Sequence, residues 1–315
     1  MALAYELAGQ PQIRNELISY LHSTQHSNGG LYAADRDGLT TGFDLPDGKP
    51  WLYFHRLHVG ATAWLLVAER SYNPFDIGGV MESPPAVNAI VSGATFGPGL
   101  ARGGNFSLFG TRLADGERSA GTLPLPTDLN DLTVTVDGRP APLFYVGDIQ
   151  VNGQLPHGET GDVLVVVKSN RKSSTPYVLR IDEVAPRLFQ TTDDRCVAQN
   201  APSYAINSPG NPARPGEVII AYLSGIGAVS PLVPDGEASP SVPLARSGLP
   251  VSAKVGGKVA DLHFLGLTPG LVGVAQANVE IVQGLPDGYQ KLEISVGGES
   301  TACDIAVTNS EARSN

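Results

Sequence analysis

Over its first 75 residues the chain places apolar side chains at helical spacing. The pattern predicts a helix over residues 2–8 that ends at Gly9, and a second helix that begins near Pro11. A polar loop is expected from Asn28 to about Pro50. A last helix is predicted from about Val59, with its apolar stripe packed in a core. The residues of that stripe are Ala61, Trp64, Leu65 and Ala68.

Beyond this segment the hydrophobic period changes from helical to two. The Gly- and Pro-rich residues 78–86 are predicted to form a linker. Residues 133–136 alternate Thr and Val before Asp137 and Gly138, which indicates a tight hairpin. Residues 291–296 alternate polar and apolar, whereas residues 163–167 are all apolar and predict a strand covered on both faces. Short strands with frequent turn signals favour a mainly β fold of tandem immunoglobulin-like β-sandwiches after an all-α helical segment.

An internal repeat supports two copies of one fold. Residues 136–147 recur 119 residues later as residues 255–266, and residues 101–104 match residues 213–216. Gln150 and Asn152 likewise match Gln276 and Asn278. The predicted domains are therefore a helical segment over 1–77, the linker, one sandwich over 87–184, another over 185–310, and a disordered tail over 311–315.

Composition and charge exclude several classes of function. Gly and Pro number 37 and 25 among 315 residues, which suits short strands and tight turns better than an α-rich enzyme. The net charge of −10 lacks the basic signature of a nucleic-acid binder. No apolar run reaches the roughly 20 residues of a membrane span. The first residues also lack the pattern of a signal peptide, so none is expected in this chain.

The β region resembles a known family over about residues 80–310. Its motifs stand in the same order, and they are residues 87–89, 96–99, 106–110, 123–127, 141–146, 207–212, 225–231 and 269–273. They are similar to the uncharacterised paired β-domain at the carboxyl ends of many large secreted or surface proteins of acidobacteria. The folds of that domain are thought similar to the IPT/TIG immunoglobulin-like domain. The resemblance implies export and a non-catalytic accessory role, and it supplies no catalytic residues.

The opening segment has a second resemblance, to the tail of an (α/α) toroid. Its motifs are residues 28–31, Trp51, residues 60–65 and residues 72–75. Such toroids occur in glycoside hydrolases and related carbohydrate-active enzymes, and they close with about a dozen helices. Only two or three helices are predicted here. The chain is therefore expected to be the carboxyl-terminal part of a longer polypeptide, and the apolar face of its helices favours self-association.

Candidate ligand-binding residues lie in the polar loop of the first segment. Trp51, Tyr53 and His55 stand together, and an aromatic face matches the apolar face of a pyranose. Asp35 and Asp37 could act as paired carboxylates in glycoside hydrolysis, which needs two acids across a bound sugar. The alternatives are core packing for Trp51 and solvated, turn-capping acids for Asp35 and Asp37.

No other motif predicts a cofactor, metal or catalytic site. Four histidines fall in the first 60 residues, and His22 and His26 are spaced to share a helix face, but a zinc site needs a third ligand. The glycine-rich residues 97–104 lack a following Lys-Ser/Thr and predict a turn. Ser224 lacks the preceding glycine of a nucleophile elbow. Cofactors, metals and catalytic residues are therefore not expected.

Both cysteines fall in the second predicted sandwich. Cys196 belongs near its first strand and Cys303 in its last, and these strands can be neighbours in immunoglobulin-like sandwiches. A disulfide is favoured because the family resemblance implies export. The alternative is two buried thiols.

These observations favour a non-catalytic extracellular or cell-surface accessory or adhesion module at the end of a larger secreted protein. Its expected partner is a polysaccharide or another cell-surface component. The alternatives are a truncated carbohydrate-active enzyme of glycoside hydrolase type and a purely structural spacer.

Overall fold

A computed structural model describes residues 2–7, 9–34, 36–57, 59–70, 83–170, 172–191 and 193–309. The chain divides into two compact units, Met1–Ser83 and Pro84–Asn315. The predicted tail over 311–315 and most of the predicted linker lie outside the described residues. Within the described ranges, none of the helices is long and apolar enough to cross a membrane.

The first unit combines helices with a small hairpin. Its elements are α1 (Ala2–Leu7), α2 (Pro11–Ser23), β1 (Leu39–Asp44), β2 (Pro50–Tyr53) and α3 (Val59–Glu69). The prediction of a loop up to about Pro50 is wrong for the second half of that segment, where β1 pairs antiparallel with β2. Gly48, at φ +79°, donates to the carbonyl of Leu45 and closes the turn between them. The period-two pattern is too short here to be recognised without that turn.

Two predictions about the helices are also wrong. Trp64 is 48% exposed, whereas Leu65 and Ala68 are 2% and 6% exposed. The buried line of α3 therefore runs through the positions of Leu65 and Ala68, and Trp64 lies about 100° round the helix from Leu65. His26 shares no helix face with His22 because α2 ends at Ser23.

The second unit begins with a β-sandwich of ten strands. They are β3 (Ala86–Ser92), β4 (Asn105–Thr111), β5 (Arg118–Ser119), β6 (Leu132–Val136), β7 (Arg139–Pro140), β8 (Leu143–Val146), β9 (Gln150–Gln154), β10 (Gly161–Ser169), β11 (Lys172–Ser173) and β12 (Tyr177–Ile181). One sheet has the order β3-β4-β9-β8-β5, and the other has β11-β10-β6-β7 with β12 also on β10. The core between them includes Leu108, Leu132, Leu143 and Ile181.

The hairpin predicted at residues 137–138 is confirmed. Val136 pairs with Arg139, and the two turn residues have φ of +46° and +82°, as a two-residue turn between twisted strands requires. The prediction that residues 163–167 are covered on both faces is wrong. Leu164 is 49% exposed while Val163, Val165 and Val167 are buried, because each sheet of a two-layer sandwich has only one inner face.

The second sandwich follows with the remaining twelve strands. They are β13 (Arg187–Leu188), β14 (Ala198–Ala201), β15 (Ala205–Ile206), β16 (Val218–Ser224), β17 (Val229–Ser230), β18 (Arg246–Ser247), β19 (Val251–Val255), β20 (Lys258–Ala260), β21 (Leu262–Leu267), β22 (Ala275–Glu280), β23 (Gly288–Val296) and β24 (Glu299–Val307). One sheet has the order β15-β14-β16-β22-β21-β18-β17 with β13 on β16, and the other has β20-β19-β23-β24. The alternation predicted over 291–296 is confirmed on β23.

The two sandwiches repeat one topology down to single side chains. β9 lies between β4 and β8 as β22 lies between β16 and β21. The Gln150 amide donates to Asn152 at 2.9 Å, and the Gln276 amide donates to Asn278 at 3.0 Å. Ala101 and Ala213 each form a parallel bridge, to Asp182 and Val307. The internal repeat of the sequence is therefore a repeat of structure.

A disulfide joins Cys196 to Cys303 inside the second sandwich. Cys303 lies on β24, and the backbone N–H of Cys196 donates to the carbonyl of Asp304 at 2.9 Å. That contact brings the two Cα atoms to 5.2 Å, within the range that a disulfide spans.

Buried polar contacts join the two sandwiches. The backbone N–H of Asn105 donates to the Ser224 hydroxyl at 2.8 Å, and Ser224 donates to the carbonyl of Gly273 at 3.3 Å. Ser224 therefore bonds one sandwich to the other. Farther along, Gly236 of the second sandwich donates to the Gln154 side chain at 2.7 Å and accepts from the N–H of Leu125 at 2.8 Å.

A histidine–aspartate pair lies at the same junction. Asp235 accepts from the backbone N–H of His157 at 3.1 Å and pairs with the Nδ1 of its ring. Burial raises the pKa of Asp235, but the hydrogen bonds and charge of His157, with the charge of Arg139, outweigh burial and hold that pKa below its ordinary 3.8. The ionised carboxylate therefore stabilises the joined sandwiches.

Replacing Asp235 by Asn should lower the melting temperature of the second unit, and the deficit should depend on pH. Because the folded pKa of Asp235 lies below the unfolded one, its contribution is complete above about pH 4 and is lost as the pH falls through the folded value. Melting curves of both proteins between pH 7 and pH 2 should therefore converge in acid. A deficit that is the same at every pH would contradict the role given to this carboxylate.

Candidate functional site

The structure brings two of the predicted ligand residues together in the first unit. The backbone N–H of His55 donates to Asp37 at 2.6 Å, and its ring Nδ1 lies 2.9 Å from the carbonyl of Ala34. Tyr32, which the sequence analysis missed, stacks on His55 with ring centroids 4.0 Å apart. The Asp37 carboxylate thus joins its loop to the backbone of His55, 18 positions along the chain.

Two of the other predicted residues lie on one strand of the first unit. Trp51 and Tyr53 lie on β2, where Tyr53 pairs with Leu39 of β1. Asp35 lies outside the described residues, as does His58. In the part of the chain that the structure describes, no three His, Cys, Asp or Glu side chains are grouped as metal ligands.

A concave site lies on the second sandwich. This tyrosine groove has a volume of about 580 Å³ and is formed by β14, β15, β16, the start of β23, β24 and the segment around Cys196. Its lining residues include Asp193, Arg195, Gln199, Asn207, Tyr222, Tyr289 and Asp304. The disulfide joins the segment of Cys196 to β24, the strand that carries Asp304.

Two tyrosines give the groove its aromatic surface. Tyr222 lies on β16 and Tyr289 at the start of β23, where it is 41% exposed. The guanidinium of Arg195 lies over the Tyr289 ring, 4.8 Å from its centroid, and holds one face of it. A ring fixed in this way binds a ligand with less loss of side-chain entropy.

Hydrogen bonds orient the polar groups of the groove. The Tyr222 hydroxyl donates to the side-chain oxygen of Gln199 at 2.6 Å, and the Gln199 amide donates to the carbonyl of Tyr204 at 2.8 Å. Asn207 donates to Asn200 at 3.0 Å and to the carbonyl of Ala306 at 2.9 Å, so it supports the floor of the groove. Burial, then the charge of Tyr204, raises the pKa of Tyr222, whose hydroxyl stays protonated through the neutral range.

The acids of the groove have partners that suit binding better than hydrolysis. Asp304 pairs with Lys291 at 2.8 Å, and Asp193 lies 3.7 Å from Arg195. Asp193 and Asp304 therefore each face a basic side chain.

The tyrosine groove was not predicted from the sequence, whose candidate ligand residues all lie in the first unit. A signal was present: Tyr222 occupies an outward position on β16, between the buried Ala221 and Leu223. An aromatic residue on the solvent side of a strand is a candidate for binding. The groove itself is assembled from strands far apart in sequence and could not be read from spacing.

Comparisons with known proteins concern the fold. No family model matches the chain, and no curated protein matches it. Among solved structures it is similar to SGBP-B from a complex xyloglucan utilization locus in Bacteroides uniformis, at 12% identity and TM-score 0.21 over 71% of this chain and 49% of that one. It is also similar to domains 5–6 of the S-layer protein SbsC, at 12% identity and TM-score 0.22 over 72% of this chain and 100% of that one.

Tandem immunoglobulin domains A164–A165 of titin give a third likeness, at 10% identity and TM-score 0.19 over 72% of this chain and 99% of that one. The chain spans about half of the first solved structure it matches, and less of the next three. Identities of this size concern the fold alone.

Proposed function

We propose that this chain is a non-catalytic extracellular module that binds a glycan in the tyrosine groove. The observation that carries the proposal is the pair of tyrosines, Tyr222 and Tyr289, beside the oriented amide of Gln199. A pyranose ring has a C–H face that packs on an aromatic ring and a rim of hydroxyl groups that needs donors and acceptors. The groove offers both kinds of surface within about 580 Å³.

The buried disulfide supports the extracellular part of the proposal. Disulfides persist in oxidising compartments and are rare in the cytosol of most organisms. In this proposal the chain is the carboxyl-terminal part of a larger secreted protein and belongs with the paired, IPT/TIG-like β-domains of acidobacterial surface proteins. The order of the sequence motifs supports that membership.

The first unit has a place in the same proposal. Its resemblance to the tail of an (α/α) toroid supports an association with carbohydrate-active proteins. Trp51, Tyr53, His55, Asp35 and Asp37 remain a second proposed ligand surface, for which the stack of Tyr32 on His55 is the structural support. The exposed Trp64 and Leu66 of α3 support self-association.

Affinity electrophoresis against a panel of soluble plant and bacterial polysaccharides first identifies a glycan that the wild type retains. Replacing Tyr289 by Ala should weaken binding of that glycan by roughly ten-fold or more, because the substitution removes the exposed aromatic face. Calorimetric titration then compares wild type, Tyr289→Ala and Trp51→Ala.

Phe96→Ala is the matched control, because Phe96 is 61% exposed on the first sandwich and does not line the groove. The control should bind as wild type does. Unchanged binding by Tyr289→Ala would reject the groove, and a loss confined to Trp51→Ala would move the site to the first unit. Retention of no glycan by the wild type would favour a structural spacer.

A further inference from the structure

A second concave site lies between the two sandwiches of the second unit. This junction cleft has a volume of about 520 Å³. The first sandwich contributes Arg102, Arg139, His157 and Gly158. The second contributes Ala228, Val229, Leu232, Val233, Pro234 and Asp235.

The two walls of the junction cleft differ in chemistry. Its basic lining residues are two arginines and a histidine, and its one carboxylate is that of Asp235, in a chain where acids outnumber bases by 31 to 21. Apart from Asp235 the facing wall is apolar, and Leu232 on that wall is 69% exposed. A ligand that fills the cleft therefore meets cations on one side and hydrocarbon on the other.

Glycines make room for the cationic side chains. A Cβ on Gly158 would overlap the guanidinium of Arg139, and a Cβ on Gly103 would overlap the ring of His157. Gly158 does not have the positive φ that favours glycine, so the close approach of the Arg139 guanidinium is the contact that a larger residue here would displace. The guanidinium of Arg139 therefore lies directly against the backbone of Gly158 at the cleft.

Arg139 can bind an anion without leaving its place. Its Nε pairs with Glu159 at 3.3 Å, and a guanidinium carries four further N–H donors on its Nη atoms. The side chain is 57% exposed, so an incoming carboxylate can reach the Nη donors while Nε stays paired with Glu159. His157 is held by Asp235 through Nδ1, and Arg102 pairs with Glu183 at 2.7 Å.

We infer that the junction cleft binds a carboxylate-bearing sugar, a uronic acid unit of an acidic glycan. The carboxylate pairs with Arg139, in the planar geometry that favours arginine, and the C–H face of the ring packs on the wall of Val229, Leu232 and Pro234. This inference rests on the proposed glycan-binding function and adds a second subsite with its own selectivity.

The test is a nuclear magnetic resonance titration of the whole chain with methyl β-D-glucuronide, methyl β-D-glucoside and sodium sulfate. The glucuronide should bind at least about ten-fold more tightly than the glucoside, and Arg139→Gln should remove most of that preference. Arg180→Gln is the matched control, since Arg180 also pairs with exposed acids of the first sandwich but lies outside the cleft.

Equal affinities for glucuronide and glucoside, or a preference that survives Arg139→Gln, would overturn the inference. Competition by sulfate at the same concentration as the glucuronide would overturn it too, since the cleft would then select charge alone. A glucuronide preference that Tyr289→Ala leaves intact supports the cleft, even if neutral glycans fail to bind in the groove. The two proposals can therefore fail separately.

Discussion

Removing the disulfide should lower the stability of the second sandwich by about 4–5 kcal/mol. Cys196 and Cys303 are 107 residues apart, and closing a loop of about a hundred residues reduces the entropy of the unfolded chain by that amount in the chain-entropy model. The expected effect is large because the bond joins the segment just before β14 to the last strand of the sandwich, β24.

The measurement is hydrogen exchange of the double variant Cys196→Ala and Cys303→Ala, beside oxidised and reduced wild type. Alanine is chosen because Cys303 is fully buried, and a serine there would add an unsatisfied hydroxyl. Amides of β16 and β22 should exchange faster in both the variant and the reduced protein, while those of β4 and β9 change little. Equal protection of β16 and β22 in all three samples would contradict the prediction.

Replacing Gly225 by Ala should be the most damaging single substitution at the junction. Gly225 has φ +79°, and a Cβ there would overlap the backbone carbonyl of Ala185, a position fixed by the bond from the Ala185 N–H to Gly225. Gly225 directly follows Ser224, whose hydroxyl accepts from Asn105 of the first sandwich. The strain of an alanine in the left-handed conformation and the displaced contacts should together lower the free energy of unfolding by at least about 2 kcal/mol.

The variant Gly257→Ala separates the effect of the positive φ from the effect of the steric overlap. Gly257 has φ +77°, but its Cβ would meet nothing within 4 Å. Chemical denaturation should therefore show a loss of only about 1–2 kcal/mol for this control, which is the conformational part alone. Equal losses for Gly225→Ala and Gly257→Ala would mean that the approach of Gly225 to Ala185 contributes nothing.

The β fold was predictable because its signals are local and occur twice. The two-residue turns at Asp137-Gly138 and Gly256-Gly257 have positive φ at both positions, which glycine and aspartate tolerate. Alternation on β23 then sets which face is buried. Two such hairpins at equivalent places in a repeat predict two sandwiches without any knowledge of long-range contacts.

The functional surfaces were not predictable in the same way. Tyr222 and Tyr289 lie 67 positions apart in the numbering and line one groove because the segment of Cys196 bonds to both β16 and β24, and β24 pairs with β23. The junction cleft depends on the contacts of Gly236 and Asp235 with the first sandwich, which no pattern of spacing reveals. Trp64 shows the opposite error. Helical spacing predicted that its side chain is buried, but the structure buries Leu65 and Ala68 of the same helix and leaves Trp64 exposed.

Glycan binding without turnover is tested most directly by one titration in which binding and product are measured on the same sample. Wild type and Tyr289→Ala are mixed with the glycan that the wild type retains, the heat of binding is recorded, and the glycan is then recovered and sized. The wild type should bind it and return it at its original length, and Tyr289→Ala should bind it roughly ten-fold or more weakly. Shortened glycan with new reducing ends, or equal binding by the two proteins, would contradict the function assigned to the groove.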